Sequence, residues 1–213
     1  MTDATTEITD ATVSGAPPDD CPAAPKMRAD ARRNRARIIE AAREVFAKTG
    51  SLTQMDDVAA AAGVGVGTVY RHFPTKDQLM GELLLQKFEV ILRLLREARE
   101  LDGDPGERLL ESLTRCAEEF QHDTATQQIM SGPQSAAVWD SAAPTVREVD
   151  AVSEELIAAG QKTGTLRADM TVMDIRLLMC GLASSMADPD LNPAWRRHMT
   201  LITDSLRPPA RGV

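Results

Sequence analysis

The chain has 213 residues, a formal net charge of −8 and three cysteines scattered at positions 21, 116 and 180. This length allows one substantial core or a small domain joined to a larger one, and scattered cysteines in odd number argue against a disulfide framework. The sequence has no apolar signal segment and no apolar run long enough to cross a membrane, so we expect a cytoplasmic protein with no membrane partner.

The charge is distributed unevenly along the chain. Residues 1–25 contain five acids and no base, residues 26–76 contain ten lysines or arginines against five acids, and residues 77–213 contain 14 against 22. Because a net positive charge is confined to residues 26–76, we expect this segment to contact a polyanion while the rest of the chain is repelled from it. Residues 1–25 have almost no bulky apolar side chains and are expected to form a disordered acidic tail.

Helical periodicity begins near residue 28, and no stretch alternates long enough to build a sheet, which predicts an all-α fold. The first helix is expected over about 29–49, ending at Gly50 and burying Ile38, Ala42, Val45 and Phe46. Five arginines crowd its start, at positions 28, 32, 33, 35 and 37.

Residues 53–76 predict two short helices around a glycine turn, followed by the capped start of a third helix. Thr53 is the expected N-cap of the first, with Asp56 completing a capping box, and Gly63 ends it. The second starts near Gly65 or Val66, buries Val69 and Phe73, and points polar side chains outward. This pattern is typical of a helix-turn-helix, and the outward donors suit the phosphates and base edges of DNA.

A long helix opens at Thr75, which pairs with Gln78 as a cap, and continues to the break at residues 102–105, a length of about 39 Å. Thr171 and Asp174 form a second capping box further along the chain. Later helices are expected at about 105–122, 124–131, 144–163, 171–187 and 193–206.

The segment GTVYRHF at residues 67–73, with Val58-Ala59, Ala62-Gly63-Val64 and the residues KDQL at 76–79, resembles the TetR (TetR/AcrR) family of bacterial transcriptional regulators. The resemblance spans about residues 30–80. It implies a helix-turn-helix three-helix DNA-binding domain over 26–74 and a helical effector-binding and dimerisation domain over 75–207. Gly65 stands where the family usually has a capping serine, and glycine is tolerated there at little cost.

The resemblance assigns DNA contacts residue by residue. Phosphate contacts are implied for Gln54, Thr68, Tyr70, His72 and Lys76, and base contacts for Val66, Gly67 and Arg71. Arg71 can be bidentate to guanine, whereas Val66 offers only apolar contact to a thymine methyl. The arginine cluster, Arg28 and Arg32 above all, is either a solvated face or an arm that contacts phosphate or the minor groove, and its position favours the arm.

The resemblance also places an effector pocket between the long helix and the middle helices. The candidate walls, each of which could equally be ordinary core, are Leu84, Phe88, Leu92, Leu113, Cys116, Phe120, Met130, Trp139 and Val149. Ten methionines and seven aromatic residues indicate an adaptable interior that suits an apolar ligand. The last two helices are expected to form the homodimer interface through Ile175, Leu178, Leu182, Trp195, Met199 and Ile202, unless these stripes are an internal packing face.

The resemblance therefore implies a non-enzymatic regulator, by analogy with the family a repressor, that binds a palindromic double-stranded operator as a homodimer and is released by a small apolar effector, with no cofactor. The competing class is catalysis, for which the chain offers only Glu118 and His122 at helical spacing as a weak metal pair. A further alternative is a helical DNA-architectural or protein-interaction module without an effector, whose second domain would be fully packed.

Overall fold

The computed structural model describes residues 23–132 and 135–209, with side chains from residue 29 onward. Within these ranges the chain forms ten α-helices and two short 3-10 turns and contains no strand. The predicted all-α fold is confirmed. None of the described helices combines the length and the apolar character that a membrane span requires.

Helix α1, Ala23–Thr49, begins six residues before its predicted start. Two alanines and a proline open it, and these residue types are favourable in a first helical turn. The predicted tail, residues 1–25, therefore overlaps the helix at residues 23–25. Residues 1–22, the rest of that tail, lie outside the described part of the structure.

Two short helices follow, α2 (Met55–Ala62) and α3 (Val66–His72), joined at Gly63, whose φ of 62° ends α2 in the left-handed conformation. The N-cap of α2 is Gln54, one residue later than predicted, and its amide donates to the Asp57 carboxylate at 3.3 Å. Thr53 is instead buried, and its hydroxyl donates to the Gly50 carbonyl at 2.8 Å. The predicted capping box is therefore displaced by one residue.

Helix α4, Lys76–Glu100, is capped as predicted by the Thr75 hydroxyl, which accepts from the Gln78 amide at 3.2 Å. Its first half is buried in a core formed with α1, α2 and α3, which we call the first core. Its second half is buried in another core, formed with the helices that follow, which we call the second core. One continuous helix thus belongs to both.

The remaining helices are α5 (Pro105–Phe120), α6 (Thr124–Ser131), α7 (Ala136–Asp140), α8 (Ala143–Thr163), α9 (Val172–Ala187) and α10 (Trp195–Ser205). Five of them match the predicted helices to within two residues at each end, and the capping box at Thr171 is present, with Asp174 accepting from its amide at 2.8 Å. Helix α7 was not predicted, because five residues are too few to establish a periodicity.

Helices α6 and α7 pack against α1 and α4 and contribute Ala125, Ile129 and Val138 to the first core. A Cβ on Gly81 of α4 would lie 2.7 Å from the Val138 carbonyl oxygen, so α7 lies directly on α4 there. The first core therefore includes residues from the middle of the chain as well as the helix-turn-helix.

Helices α5 and α8 cross at two glycines. A Cβ on Gly160 would lie 2.7 Å from Leu166 Cδ1 and 2.8 Å from the Gly106 Cα, both closer than real Cβ contacts. Since Gly106 belongs to the backbone of the facing helix, no side-chain rotation can relieve the clash.

We predict that Gly160→Ala lowers the free energy of unfolding by about 1–2 kcal/mol, because overpacking at a helix crossing exceeds the gain in helix propensity. The measurement is chemical denaturation followed by circular dichroism. Gly67→Ala is the matched control, since no heavy atom outside its own helix backbone and chain neighbours lies within 4 Å of its Cβ position, and it should leave stability equal or slightly higher. Equal stability of the two variants would contradict the close crossing.

Candidate nucleic-acid interface, internal cavity and exposed helix face

Helix α3 presents one open face. Val69 is buried and Phe73 lies beneath the helix in the first core, whereas Val66, Gly67, Tyr70 and Arg71 are exposed. The Tyr70 side chain is 47% exposed although it is a large aromatic residue. Thr68 and His72 are half-buried at the edges of this face. The residues predicted to contact DNA on α3 are thus brought to one surface, with donors that phosphate and base edges accept.

The arginines at the start of α1 do not form one uniform cluster. Arg35 pairs with Glu82 of α4 at 2.7 Å and lies 5.2 Å from the centroid of the Phe73 ring, and Arg37 donates to the Ala62 carbonyl at 2.6 Å. These two hold α4 and the end of α2 in place against α1. Arg33 pairs with Asp30, and Arg32 is exposed. The side chain of Arg28 lies outside the described part of the structure.

Two predicted phosphate contacts flank α3 at helix N-termini. Gln54 is exposed at the start of α2, with its side-chain amide donating to the Leu52 carbonyl at 3.1 Å. Lys76, at the start of α4, donates through Nζ to the Ser51 carbonyl at 2.5 Å and lies 5.7 Å from the Phe46 ring centroid. Lys76 is therefore held against the turn after α1 rather than extended into solvent, and its backbone N–H at the helix start is the group already placed for an anion.

A cavity of about 380 Å³, partly open to solvent beside the exposed residues Arg176 and Cys180, lies between α4, α5, α8 and α9. Most of the predicted pocket residues line it: Phe88, Leu113, Cys116, Phe120, Met130, Trp139 and Val149. Leu84 and Leu92 do not. Leu84 is fully buried in the first core, one turn before Phe88, and Leu92 is rotated about 100° around α4 from the lining residue Ile91.

Helix α9 forms a wall of the cavity that sequence reasoning did not assign. Val172, Ile175, Met179, Leu182 and Ala183 line it from this side. Across the cavity the rings of Phe88 and Trp139 are tilted by 55° with centroids 6.0 Å apart. Burial raises the pKa of the Cys116 thiol to about 12, so this wall residue stays a neutral thiol. The surface offered to a ligand is therefore mainly aliphatic, aromatic and sulfur-containing.

Charged side chains reach the cavity at two places. Arg176 of α9 and Asp150 of α8 form an ion pair at 2.5 Å, with both side chains partly exposed. Lys87 of α4 is only 6% exposed and donates through Nζ to the Glu119 carbonyl at 2.8 Å. Burial lowers the pKa of Lys87, although the nearby Asp123 opposes that shift.

Asp123 is shared between Lys87 and a helix of the first core. One carboxylate oxygen lies 3.6 Å from Lys87 Nζ and 3.6 Å from Arg43 Nη1 of α1, and the other oxygen accepts from the Thr126 amide at the start of α6. Arg43 also donates to Gln86 Oε1 at 2.6 Å. Lys87, Asp123 and Arg43 thus connect the cavity wall to α1, and the sequence offered no signal for this because the three lie far apart along the chain.

The last two helices turn a different face outward from the one predicted. Ile175 and Leu182 face the cavity, and Trp195, Met199 and Ile202 are buried in the second core, while Leu178 is only partly exposed. The predicted dimer residues therefore stabilise the subunit itself. The opposite face of these helices carries the exposed apolar side chains Met173, Leu177 and Leu201.

Within residues 23–132 and 135–209, no three His, Cys, Asp or Glu side chains come together in a group that could hold a metal ion. Glu118 and His122, the weak pair considered from the sequence, are both exposed on the surface at the end of α5. These two residues therefore have no third ligand in the described part of the chain.

Two family models match the chain. Residues 38–83 match the model of bacterial regulatory proteins of the tetR family, and residues 104–208 match the model of the C-terminal domain of SbtR-like transcriptional regulators. The first covers α2, α3 and parts of α1 and α4, and the second covers all of the helices from α5 to α10. The helix-turn-helix and the cavity-bearing helices are therefore each similar to a part of known regulators.

The chain is similar to curated regulators along most of its length. It is 29% identical over 164 residues to the HTH-type transcriptional regulator UidR of Escherichia coli strain K12, covering 72% of this chain and 80% of UidR. A shorter match of 93 residues, 38% identical, is to the probable acrEF/envCD operon repressor of the same strain and covers 42% of each protein.

Among solved structures, the TetR transcription regulatory protein from Mycobacterium vanbaalenii is 33% identical, with a TM-score of 0.55, and the match covers 85% of this chain and 99% of that one. The resemblance read from residues 67–73 is thus supported over nearly the whole length of a relative. The chain belongs to the TetR family of bacterial transcriptional regulators.

Proposed function

We propose that this regulator is a repressor that binds an inverted-repeat operator as a homodimer, in the cytoplasm, and leaves it when a small apolar effector occupies the internal cavity. The observation that carries the proposal is the continuity of α4, which begins beside the exposed face of α3 and lines the cavity further along, between Lys87 and Leu95. The repressor assignment is supported by the name of one relative, the probable acrEF/envCD operon repressor.

The exposed face of α3 is the proposed reading surface. Arg71 is exposed and carries a guanidinium fork that matches the two acceptors of guanine, and Val66 and Gly67 allow close approach to the bases. Thr68, Tyr70 and His72, with Gln54 and the start of α4 at Lys76, are proposed to hold phosphates and to set the register. Arg32 is exposed on α1 and is the proposed contact of the N-terminal arm.

The cavity is the proposed effector site. A fully packed second domain would have favoured an architectural or protein-interaction module, whereas a 380 Å³ cavity with apolar walls favours a ligand-responsive protein. A ligand shifts the protein between two arrangements only by its difference in affinity for them. The effector must therefore bind more tightly to the arrangement that does not fit the operator than to the one that does. We propose that the protein acts by this binding linkage and not by catalysis.

The proposed dimer contact is the exposed face of α9 and α10, which carries Met173, Leu177 and Leu201. Gly181 and Ser184 lie on the same exposed side of α9 and would let a second helix approach closely. An operator with two half-sites requires two α3 helices related by a two-fold axis, and an isologous contact between these faces would supply that symmetry.

The experiment that tests the function is selection of bound DNA from a random duplex pool by the purified protein, followed by sequencing. An enriched inverted repeat would support the proposal and identify an operator. Without any enriched sequence at low salt, the operator-binding proposal would fail, and a sequence-independent architectural role would take its place.

We predict that Arg71→Ala relaxes specificity at one base pair of each half-site, reducing discrimination there by about 1–3 kcal/mol. Binding of operator variants in a mobility-shift or anisotropy series is the measurement. Tyr70→Phe is the control, because loss of a phosphate contact should weaken all variants equally, by about 0.5–1.5 kcal/mol. An unchanged ranking of variants with Arg71→Ala would show that Arg71 does not read a base.

We predict that Leu177→Arg converts the dimer to monomers, because two guanidinium groups would be buried opposite each other in the contact. Light scattering coupled to size exclusion measures the mass. Leu101→Arg is the matched control: Leu101 at the end of α4 is 58% exposed, comparable to the 65% of Leu177, and lies off the proposed contact. If both variants remained dimeric, a different surface would have to form the dimer.

A further inference from the structure

Lys87 is buried in a place where nothing in the proposed function requires a charge. The residue is 6% exposed and lines the cavity, and its ammonium lies 5.0 Å from the centroid of the Phe120 ring, which is itself a wall of the cavity. An ammonium is strongly hydrated in water, so placing it beside an apolar cavity is costly unless an anion compensates it.

The compensation available within the subunit is incomplete. Among the described residues, Asp123 is the only carboxylate within ion-pair distance of Lys87, and Asp123 is also the only one within that distance of Arg43. The Glu119 side chain, which also attracts Lys87, is exposed to solvent. Two cations therefore share one carboxylate, and the group of Lys87, Asp123 and Arg43 has a net charge of +1.

The geometry of the shared carboxylate is loose. Asp123 Oδ2 lies 3.6 Å from each cation, which is beyond the 2.7–2.9 Å typical of a charge-assisted N–H···O hydrogen bond. The shortest contact of the ammonium is to the Glu119 carbonyl at 2.8 Å, which is a neutral acceptor. An anionic oxygen entering from the cavity would find an ammonium that is not fully paired.

We propose that the effector is an amphipathic monoanion, with an apolar body in the cavity and a single anionic oxygen group, such as a carboxylate, bound by Lys87. This inference rests on the proposed function for its meaning as an effector site, but the binding itself does not depend on DNA. The other charged groups at the cavity, Arg176 and Asp150, form an ion pair with each other and leave no second unmatched charge there. One anionic group therefore balances the site.

The same contact leads from the ligand to the DNA-binding region. An anion on Lys87 competes with Asp123, so Asp123 is left to pair with Arg43 of α1. Asp123 also caps α6, and α6 packs against α1. The charge of the ligand therefore acts where α6 meets α1 in the first core. The Asp123 carboxylate would thus link binding of the anionic head group to the release of DNA.

The binding test uses three probes with the same ten-carbon chain, whose flexibility suits a cavity lined by methionine and aliphatic residues. Decanoate, 1-decanol and decylammonium are titrated separately into the full-length protein at pH 7.5 by calorimetry. We expect decanoate to bind about tenfold or more tightly than 1-decanol, because a charge-assisted hydrogen bond to a buried ammonium adds to the same apolar burial. Decylammonium should bind more weakly than 1-decanol.

Lys87→Met locates the site, because methionine keeps much of the side-chain volume and removes the charge. It should lower decanoate affinity to that of 1-decanol and leave 1-decanol within twofold. Lys162→Met is the control, since Lys162 is an exposed lysine in the last turn of α8. The order of the three probes on the unmodified protein decides the question even where Lys87→Met fails to fold.

Equal binding of decanoate and 1-decanol, or tighter binding of decylammonium, would overturn the anionic head group and leave an apolar effector in place. If none of the three probes bound, the proposed ligand class would be wrong. Operator binding is measured in a separate experiment and would not be affected by that result. Retention of full decanoate affinity in a folded Lys87→Met variant would show that the anion binds elsewhere.

Arg43→Gln tests the second step. It should weaken decanoate binding, because Asp123 is then left to pair with Lys87 alone. It should also reduce the factor by which saturating decanoate weakens binding to the selected operator. Arg93→Gln is the control, because Arg93 is an exposed arginine that pairs with Glu97 along α4. If Arg43→Gln and the unmodified protein responded to decanoate by the same factor, Asp123 and Arg43 would not carry the signal.

Discussion

Helix α4 is buried in two different cores, and the arrangement of the whole molecule depends on that. Leu79 and Leu83 near its start pack with the helix-turn-helix, whereas Leu95 and Ala98 near its end pack with α5 and α8. A helix transmits displacement along its axis because its backbone hydrogen bonds are internal and its interior is close-packed. Any change in the second core that moves the end of α4 must therefore be accommodated by the first core as well.

The point where the two cores meet is also where the buried charge lies. Lys87 stands about midway along α4, and Asp123 opens α6, which packs on α1. Burying a charge in apolar surroundings costs free energy unless polar or charged groups interact with it. The arrangement of one carboxylate between two cations makes this junction sensitive to any further charge that enters the cavity.

Helix α9 carries two apolar stripes that have different roles. On α9, Ile175 and Leu182 face inward, whereas Met173 and Leu177 are exposed on the other side. The inward stripe closes the cavity and the outward stripe remains available to a partner. Because α9 lies between the cavity and the proposed dimer contact, a ligand that moves this wall would also move the surface that sets the spacing of two DNA-reading helices.

The sequence by itself determined the helical class, most helix boundaries and the helix-turn-helix, because caps, glycine turns and the 3.6-residue period act over short distances along the chain. It also identified seven of the residues that line the cavity, although it missed the wall formed by α9. It could not decide which face of α9 is buried, since both faces are apolar and only the neighbouring helices distinguish them. Likewise, nothing in the sequence indicates that Lys87, Asp123 and Arg43 lie together, because they are far apart along the chain. Tertiary structure brings them together, because ion pairs and cavities are set by the packing of distant helices and not by local spacing.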